Sequence, residues 1–150
     1  MTPGSSRRVQ LSGPVQVPLP FEAAFSLFTP SGERTWAHGW DPRFPDPTAD
    51  ETGPGTVFQT SHGGRESTWI VVRCEPGRSI EYATSIPGQR CGLVTVVCEP
   101  SGEATTATVS YDLTALSPAA EVELDGFAND YPSFLAHWEH AIAEAVIGAG

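Results

Sequence analysis

The chain has 150 residues, a mass of 15.9 kDa and a net charge of −10, with 8 Lys and Arg against 18 Asp and Glu. That length holds one domain with a real core, so residues 1–150 are read as a single domain, and so few cations argue against a nucleic-acid partner and against attraction to an anionic membrane. Membrane insertion is not expected, since there is no apolar run long enough to span a bilayer. The start shows no basic-then-apolar leader, and Cys74, Cys91 and Cys98 lack zinc-ligand spacing, so free thiols and a cytoplasmic, reduced location are expected.

Residues 1–6 read as a frayed terminus. Arg8–Val17 (RVQLSGPVQV) is rich in strand formers, and Gly13-Pro14 in its middle points to a bulge or an edge position. Pro20 suits the first turn of a helix whose apolar face is Phe21, Ala24, Phe25 and Phe28. Thr29-Pro30-Ser31-Gly32 stops it, and a second short helix is predicted over residues 33–38. Residues 43–55 form a Pro/Gly/Asp loop, long for a compact domain and therefore a place to look for function or motion.

Strands are predicted at residues 56–62, 67–74, 79–84, 91–99 and 104–113. They are separated by Gly63-Gly64, Pro76-Gly77, Pro87-Gly88 and Pro100-Ser101-Gly102, turn chemistry that favours a meander of antiparallel hairpins. Ala107, Val109, Tyr111 and Leu113 share one face of the last strand, while Thr106, Thr108, Ser110 and Asp112 share the other. Val94, Val96 and Cys98 point inward by the same logic, as do Ile80, Tyr82 and Thr84. Residues 67–74 admit two inner rows, Trp69-Val71-Arg73 and Ile70-Val72-Cys74, and the alternation does not choose between them.

Ser117-Pro118 is a helix start, with Ser as N-cap and Pro in the first turn. A break is expected near residues 129–132, followed by the long terminal helix. Phe127, Tyr131, Phe134, Leu135, Trp138, Ile142 and Val146 recur at helical spacing as one apolar stripe, with His137, His140 and Glu144 on the far side. Strands followed by one strongly one-sided helix predict an α+β fold in which the helix lies across the concave face of a curved antiparallel sheet and leaves a pocket.

This order, with two short helices after the first strand, resembles the helix-grip fold of the SRPBCC superfamily, the START-like and birch-pollen-allergen-like proteins. The strings FTPSGERTWAHGWDP (residues 28–42), FQTSHGG (58–64), WIVVRCEPG (69–77), VSYDLTALS (109–117) and HWEHAI (137–142) are similar to its bacterial polyketide cyclase/dehydrase-like branch. The resemblance covers nearly the whole chain and implies a cavity between sheet and terminal helix, entered near the loops. It is weak for activity, because the superfold hosts carriers, receptors, cyclases and chaperone activators.

Glu33 and Arg34 read as an ion pair at the cavity end, or Arg34 grips an acidic ligand group through its planar fork, unless one of the two only ties the helical loop to the sheet. Trp36 and Trp40 read as flat walls of a cavity mouth or as plain core. With Trp69, Tyr82 and Trp138 they complete the expected ligand-binding set. His62 and Tyr111 are the expected catalytic pair. The resembling family carries a His in a comparable stretch, and a Tyr on an inner face presents a hydroxyl to a ligand oxygen unless it is satisfied locally. A solvated face explains His137, His140 and Glu144 without a metal, and no metal or cofactor is implied. The leading expectation is a binder of a small apolar or aromatic molecule, with cyclase- or dehydratase-like chemistry if it is an enzyme. The alternative is a non-enzymatic interaction module, like the chaperone-ATPase activators of the superfamily, acting through its acidic surface. A homodimer would use an unpaired strand edge, at Arg8–Val17 or at Thr56.

Overall fold

Each strand carries one apolar row that it cannot bury alone, and the rows are joined by pairing neighbours in sequence order. The computed structural model describes residues 7–149; the expected frayed terminus, residues 1–6, lies outside the described residues. Strands β1 (Arg8–Val17), β2 (Val57–His62), β3 (Arg65–Glu75), β4 (Ser79–Ile86), β5 (Arg90–Ser101) and β6 (Ala104–Ala115) form one antiparallel sheet in the order β1-β6-β5-β4-β3-β2. The predicted meander is therefore present from β2 to β6, and β1 returns to pair with β6.

β1 and β6 stay in register from Arg8 opposite Thr114 to Val17 opposite Thr105, so Gly13-Pro14 makes no bulge. The edge reading holds. The Gln16 backbone N–H points away from β6 and donates to Glu139 Oε2 at 2.8 Å, so the nitrogen of Pro14, two residues earlier, faces the same open side and costs no ladder bond. At the opposite edge, Arg43 bridges to Gln59 of β2 through two backbone bonds of 2.9 Å.

The undecided strand resolves by a bulge. Val71 pairs with Tyr82 but Arg73 pairs with Glu81, so one residue of β3 has no counterpart. Trp69 and Val71 face the core before the bulge, and Cys74 takes the inner side after it, while Ile70 and Val72 lie exposed. Each candidate row was correct for half of the strand. Gly92 permits another departure from a flat sheet: a side chain there would collide with the Asp112 carbonyl of β6.

After β1, helix α1 (Phe21–Ala24) runs into a 3-10 turn, Phe25–Phe28, which buries Phe25 and Phe28. The helix expected over residues 33–38 is only a 3-10 turn, Gly32–Thr35. It stops because Trp36 leaves helical geometry, its indole N–H reaching back to the Leu27 carbonyl at 2.8 Å. Ser117 caps α2 (Pro118–Asn129) by accepting from the Ala120 N–H at 3.2 Å. The chain breaks at Asp130 and continues as α3 (Tyr131–Ala149).

α3 grips one flank of the sheet. Leu135 and Ile142 are buried, and the Tyr131 hydroxyl donates to the Val109 carbonyl of β6 at 2.6 Å. Gly13 allows the close approach, since a Cβ there would stand 2.5 Å from Leu135 Cδ1. Gly13→Val is expected to destabilise the fold by about 1–3 kcal/mol through overpacking. Adding Leu135→Ala should recover part of that loss, read as non-additivity of urea midpoints.

Candidate functional site

A cavity of about 350 Å³ lies under α2 and α3 on the concave side of the sheet. Its floor comes from β3 to β6, where the inward rows place Trp69, Tyr82, Val94 and Tyr111. Phe127 of α2 and Phe134 and Trp138 of α3 roof it, and the segment from Glu33 to Trp40 walls one end. All four tryptophans of the chain line it.

Most of the aromatic polar atoms are already occupied by the protein. Trp36 Nε1 donates to the Leu27 carbonyl and Trp40 Nε1 to the Pro30 carbonyl, both at 2.8 Å, while Trp69 Nε1 donates to Thr60 Oγ1 at 3.0 Å. Trp36 meets Trp138 edge-on at 4.9 Å between centroids, and Trp69 stacks on Phe58 at 5.9 Å. These contacts fix the rings as rigid apolar walls. Tyr82 donates its hydroxyl to the Phe28 carbonyl at 2.9 Å, so its polar end is spent inside the fold.

Tyr111 differs. Among the described residues its hydroxyl has no hydrogen-bond partner, its ring packs edge-on to Phe127 and Phe134, and burial raises its pKa, so the hydroxyl stays a proton donor. Glu33 is 8% exposed and also lines the cavity. No described residue hydrogen-bonds its carboxyl, and burial alone lifts its pKa well above the usual carboxylate range. The neutral form of such a carboxyl persists above the ordinary carboxylate range, so the group can give a proton as well as take one. Glu33, Tyr82 and Tyr111 all line the same cavity.

His62, at the end of β2, is exposed at the rim. Also at the rim, Arg65 of β3 makes a bidentate pair with Glu123 of α2, at 2.7 and 2.8 Å, which ties the β2–β3 hairpin to the helical roof. Arg34 does not line the cavity. It is exposed and turned outward, donating to the Pro42 carbonyl at 2.7 Å and to Asp41 at 3.3 Å, so it ties the loop down. His140 pairs with Glu144 at 3.5 Å on the outer face of α3.

Of the eight residues singled out from the sequence, the structure brings seven to the cavity wall or rim and leaves Arg34 outside. Glu33 and Arg90 were missed as site residues. The sequence places Glu33 beside Arg34 and so suggests an ion pair, but the 3-10 turn sends the two side chains in opposite directions. Arg90 sits at a hairpin end, where a cation is ordinarily solvated.

A family model described as "Polyketide cyclase / dehydrase and lipid transport" matches residues 8–136. Among solved structures, a protein from Rhizobium leguminosarum superposes with a TM-score of 0.68 at 16% identity, covering 93% of this chain and 97% of that one. Norcoclaurine synthase of Thalictrum flavum, in complex with a transition-state analogue, superposes at 0.67 with 12% identity over 97% and 98% of the two chains. A protein of the dynemicin biosynthetic locus reaches 0.62 at 19% identity, covering 87% of this chain and 46% of that one. At these identities the likeness establishes the helix-grip fold. None of the curated proteins matches the sequence.

Two outcomes follow from the different fates of these polar groups. Tyr82→Phe should cost about 1–3 kcal/mol by orphaning the buried Phe28 carbonyl, whereas Tyr111→Phe should stay within about 0.5 kcal/mol, both read by chemical denaturation. Glu33 has a folded pKa above its unfolded one. As pH rises past the ordinary carboxylate range the unfolded chain releases this proton first, and stability falls until the folded pKa is passed. Glu33→Gln should therefore flatten the fall in melting temperature as pH rises above the ordinary carboxylate range, and melt no lower than the parent at the alkaline end. A steeper fall in the variant would instead show that the charged form is stabilised in the fold.

Proposed function

Because the chain belongs to the polyketide cyclase / dehydrase and lipid transport family of the SRPBCC superfamily, we propose that its cavity takes up one small, largely apolar or aromatic molecule and moves protons on a carbonyl that it carries. One observation carries the reading. Trp36, Trp40, Trp69 and Tyr82 spend their polar atoms on the protein, while the Glu33 carboxyl and the Tyr111 hydroxyl, within the same walls, have no hydrogen-bond partner among the described residues. Polar groups left open on the wall of an apolar cavity are where a ligand is oriented by hydrogen bonds.

The chemistry is that of a cyclase or dehydratase. Enolisation transfers an α-proton to a base while the carbonyl oxygen receives a hydrogen bond; aldol-type ring closure forms a carbon–carbon bond as a second carbonyl oxygen takes up a proton. Loss of the resulting hydroxyl as water delivers one proton to that oxygen and removes one from the neighbouring α-carbon to a base, as the carbon–carbon double bond forms. Glu33 is the group suited to give and take these protons, because burial brings its pKa up from the range where it would only accept. Tyr111 is suited to hold the carbonyl oxygen as a donor, and His62 at the rim to exchange protons with solvent. The apolar walls hold the chain folded on itself so that the reacting carbons stay close. A volume of about 350 Å³ lies near the lower end of the ~300–1,000 Å³ range of small-molecule sites. It favours a compact ring system over a long extended lipid.

Intrinsic tryptophan fluorescence tests the binding half, because all four tryptophans line the cavity. A neutral bicyclic probe, 2-acetylnaphthalene, should perturb it saturably with one site per chain, and Trp69→Ala should weaken the effect. Absence of saturable binding would refute the reading. The proton-transfer half is read by NMR as exchange of the methyl protons of the same ketone into deuterated water. The protein should accelerate that exchange, and Glu33→Gln should lower the acceleration by about 10²-fold or more. Saturable binding without any acceleration would leave a carrier and not an enzyme.

A further inference from the structure

The cavity lining includes a cation that neither the walls nor the proton chemistry uses. Arg90 opens β5 and lines the pocket between Phe127 and Tyr111, half-buried. Its guanidinium lies 5.7 Å from the centre of the Phe127 ring, a cation–π contact that orients the head while consuming none of its N–H donors. Among the described residues no carboxylate or carbonyl accepts from it.

The charges around it do not cancel it. Glu123 is the acid within electrostatic reach, but both of its oxygens are taken by Arg65. That pair is internally neutral. Glu33, the other carboxyl on the cavity wall, makes no ion pair with Arg90, and burial disfavours its charged form. In a chain of net charge −10, the half-buried Arg90 thus lacks a paired anion among the described residues and sits behind a closed ion pair. A guanidinium taken from water without an anionic partner is unfavourable, and its planar fork matches a carboxylate.

Resting on the reading of this cavity as a ligand site, we propose that Arg90 receives a carboxylate of the ligand, so that the molecules taken up are compact aromatic or cyclic carboxylic acids bound as monoanions. The Phe127 and Phe134 rings then cover the ring system next to the carboxylate. The ligand's remaining oxygen faces Tyr111, which lies within electrostatic reach of both Arg90 and Glu33. The arrangement sets an orientation: acid end at the hairpin between β4 and β5, reacting carbonyl toward Glu33.

The test uses two probes of the same shape, 2-naphthoate and 2-naphthamide, titrated against tryptophan fluorescence and by calorimetry with the full chain. The wild-type protein should bind the anion about tenfold or more tightly than the amide, and Arg90→Gln should abolish that preference while still binding the amide. Retained amide binding also shows that the variant is folded. Equal affinity of the wild-type protein for the two probes, or a preference that survives Arg90→Gln, overturns the assignment of Arg90 and leaves the cavity reading standing. Should Arg90→Gln fail to fold, the wild-type comparison decides by itself. If neither probe binds, the cavity reading fails and takes this inference with it.

Discussion

The off-centre clasp of α3 on the sheet is the contact on which the rest of the molecule depends. The helix presses on β1 and β6 through Leu135 and Tyr131, comes close because residue 13 has no side chain, and is pinned to the open edge where Glu139 accepts from the Gln16 N–H. A helix centred on the sheet would fill its concavity with its own side chains. Held on one flank, it offers Phe134 and Trp138 as a roof and leaves the β3–β5 side hollow. The same clasp covers part of the β1 edge, which would otherwise be open to another strand.

Within that hollow, the fold separates groups that build walls from groups that stay available. Trp36, Trp40, Trp69 and Tyr82 each spend a donor on a nearby acceptor of the protein, so their rings are fixed and apolar toward the inside. Glu33, Tyr111 and Arg90 have no such acceptor or donor among the described residues. Their isolation has an electrostatic logic. Burial favours the neutral form of the carboxyl and keeps the hydroxyl protonated, and the cation is left without a paired anion because Glu123 is engaged by Arg65.

The Arg65–Glu123 pair connects this electrostatics to access. It joins the β2–β3 hairpin to α2 across the rim, and both partners are about half exposed, at 46% and 49%. Exposed pairs of this kind contribute little to stability, commonly ~0–1 kcal/mol. Its effect here lies in position: it fastens two elements that bound the opening and keeps Glu123 from neutralising Arg90.

Alternation along β4, β5 and β6 and the apolar stripe of the last helix were legible in the sequence, because a strand's faces and a helix's faces are set by local geometry with fixed periods. So were the Ser117 cap and the break near Asp130, which depend on neighbours a few residues apart. The inner row of β3 was not, since the bulge after Val71 is a property of its pairing with β4 and leaves no mark on composition. Nor were the roles of Glu33 and Arg34 separable. They are adjacent in the chain, and only the short 3-10 turn, cut off where Trp36 reaches back to Leu27, sends one into the dark of the cavity and the other to solvent. What the sequence by itself determined is the periodic order of elements and the apolar face of each. Which polar groups end up dry, unpaired and facing one another was decided by tertiary structure alone, because burial and charge balance belong to the assembled interior and to no stretch of the chain.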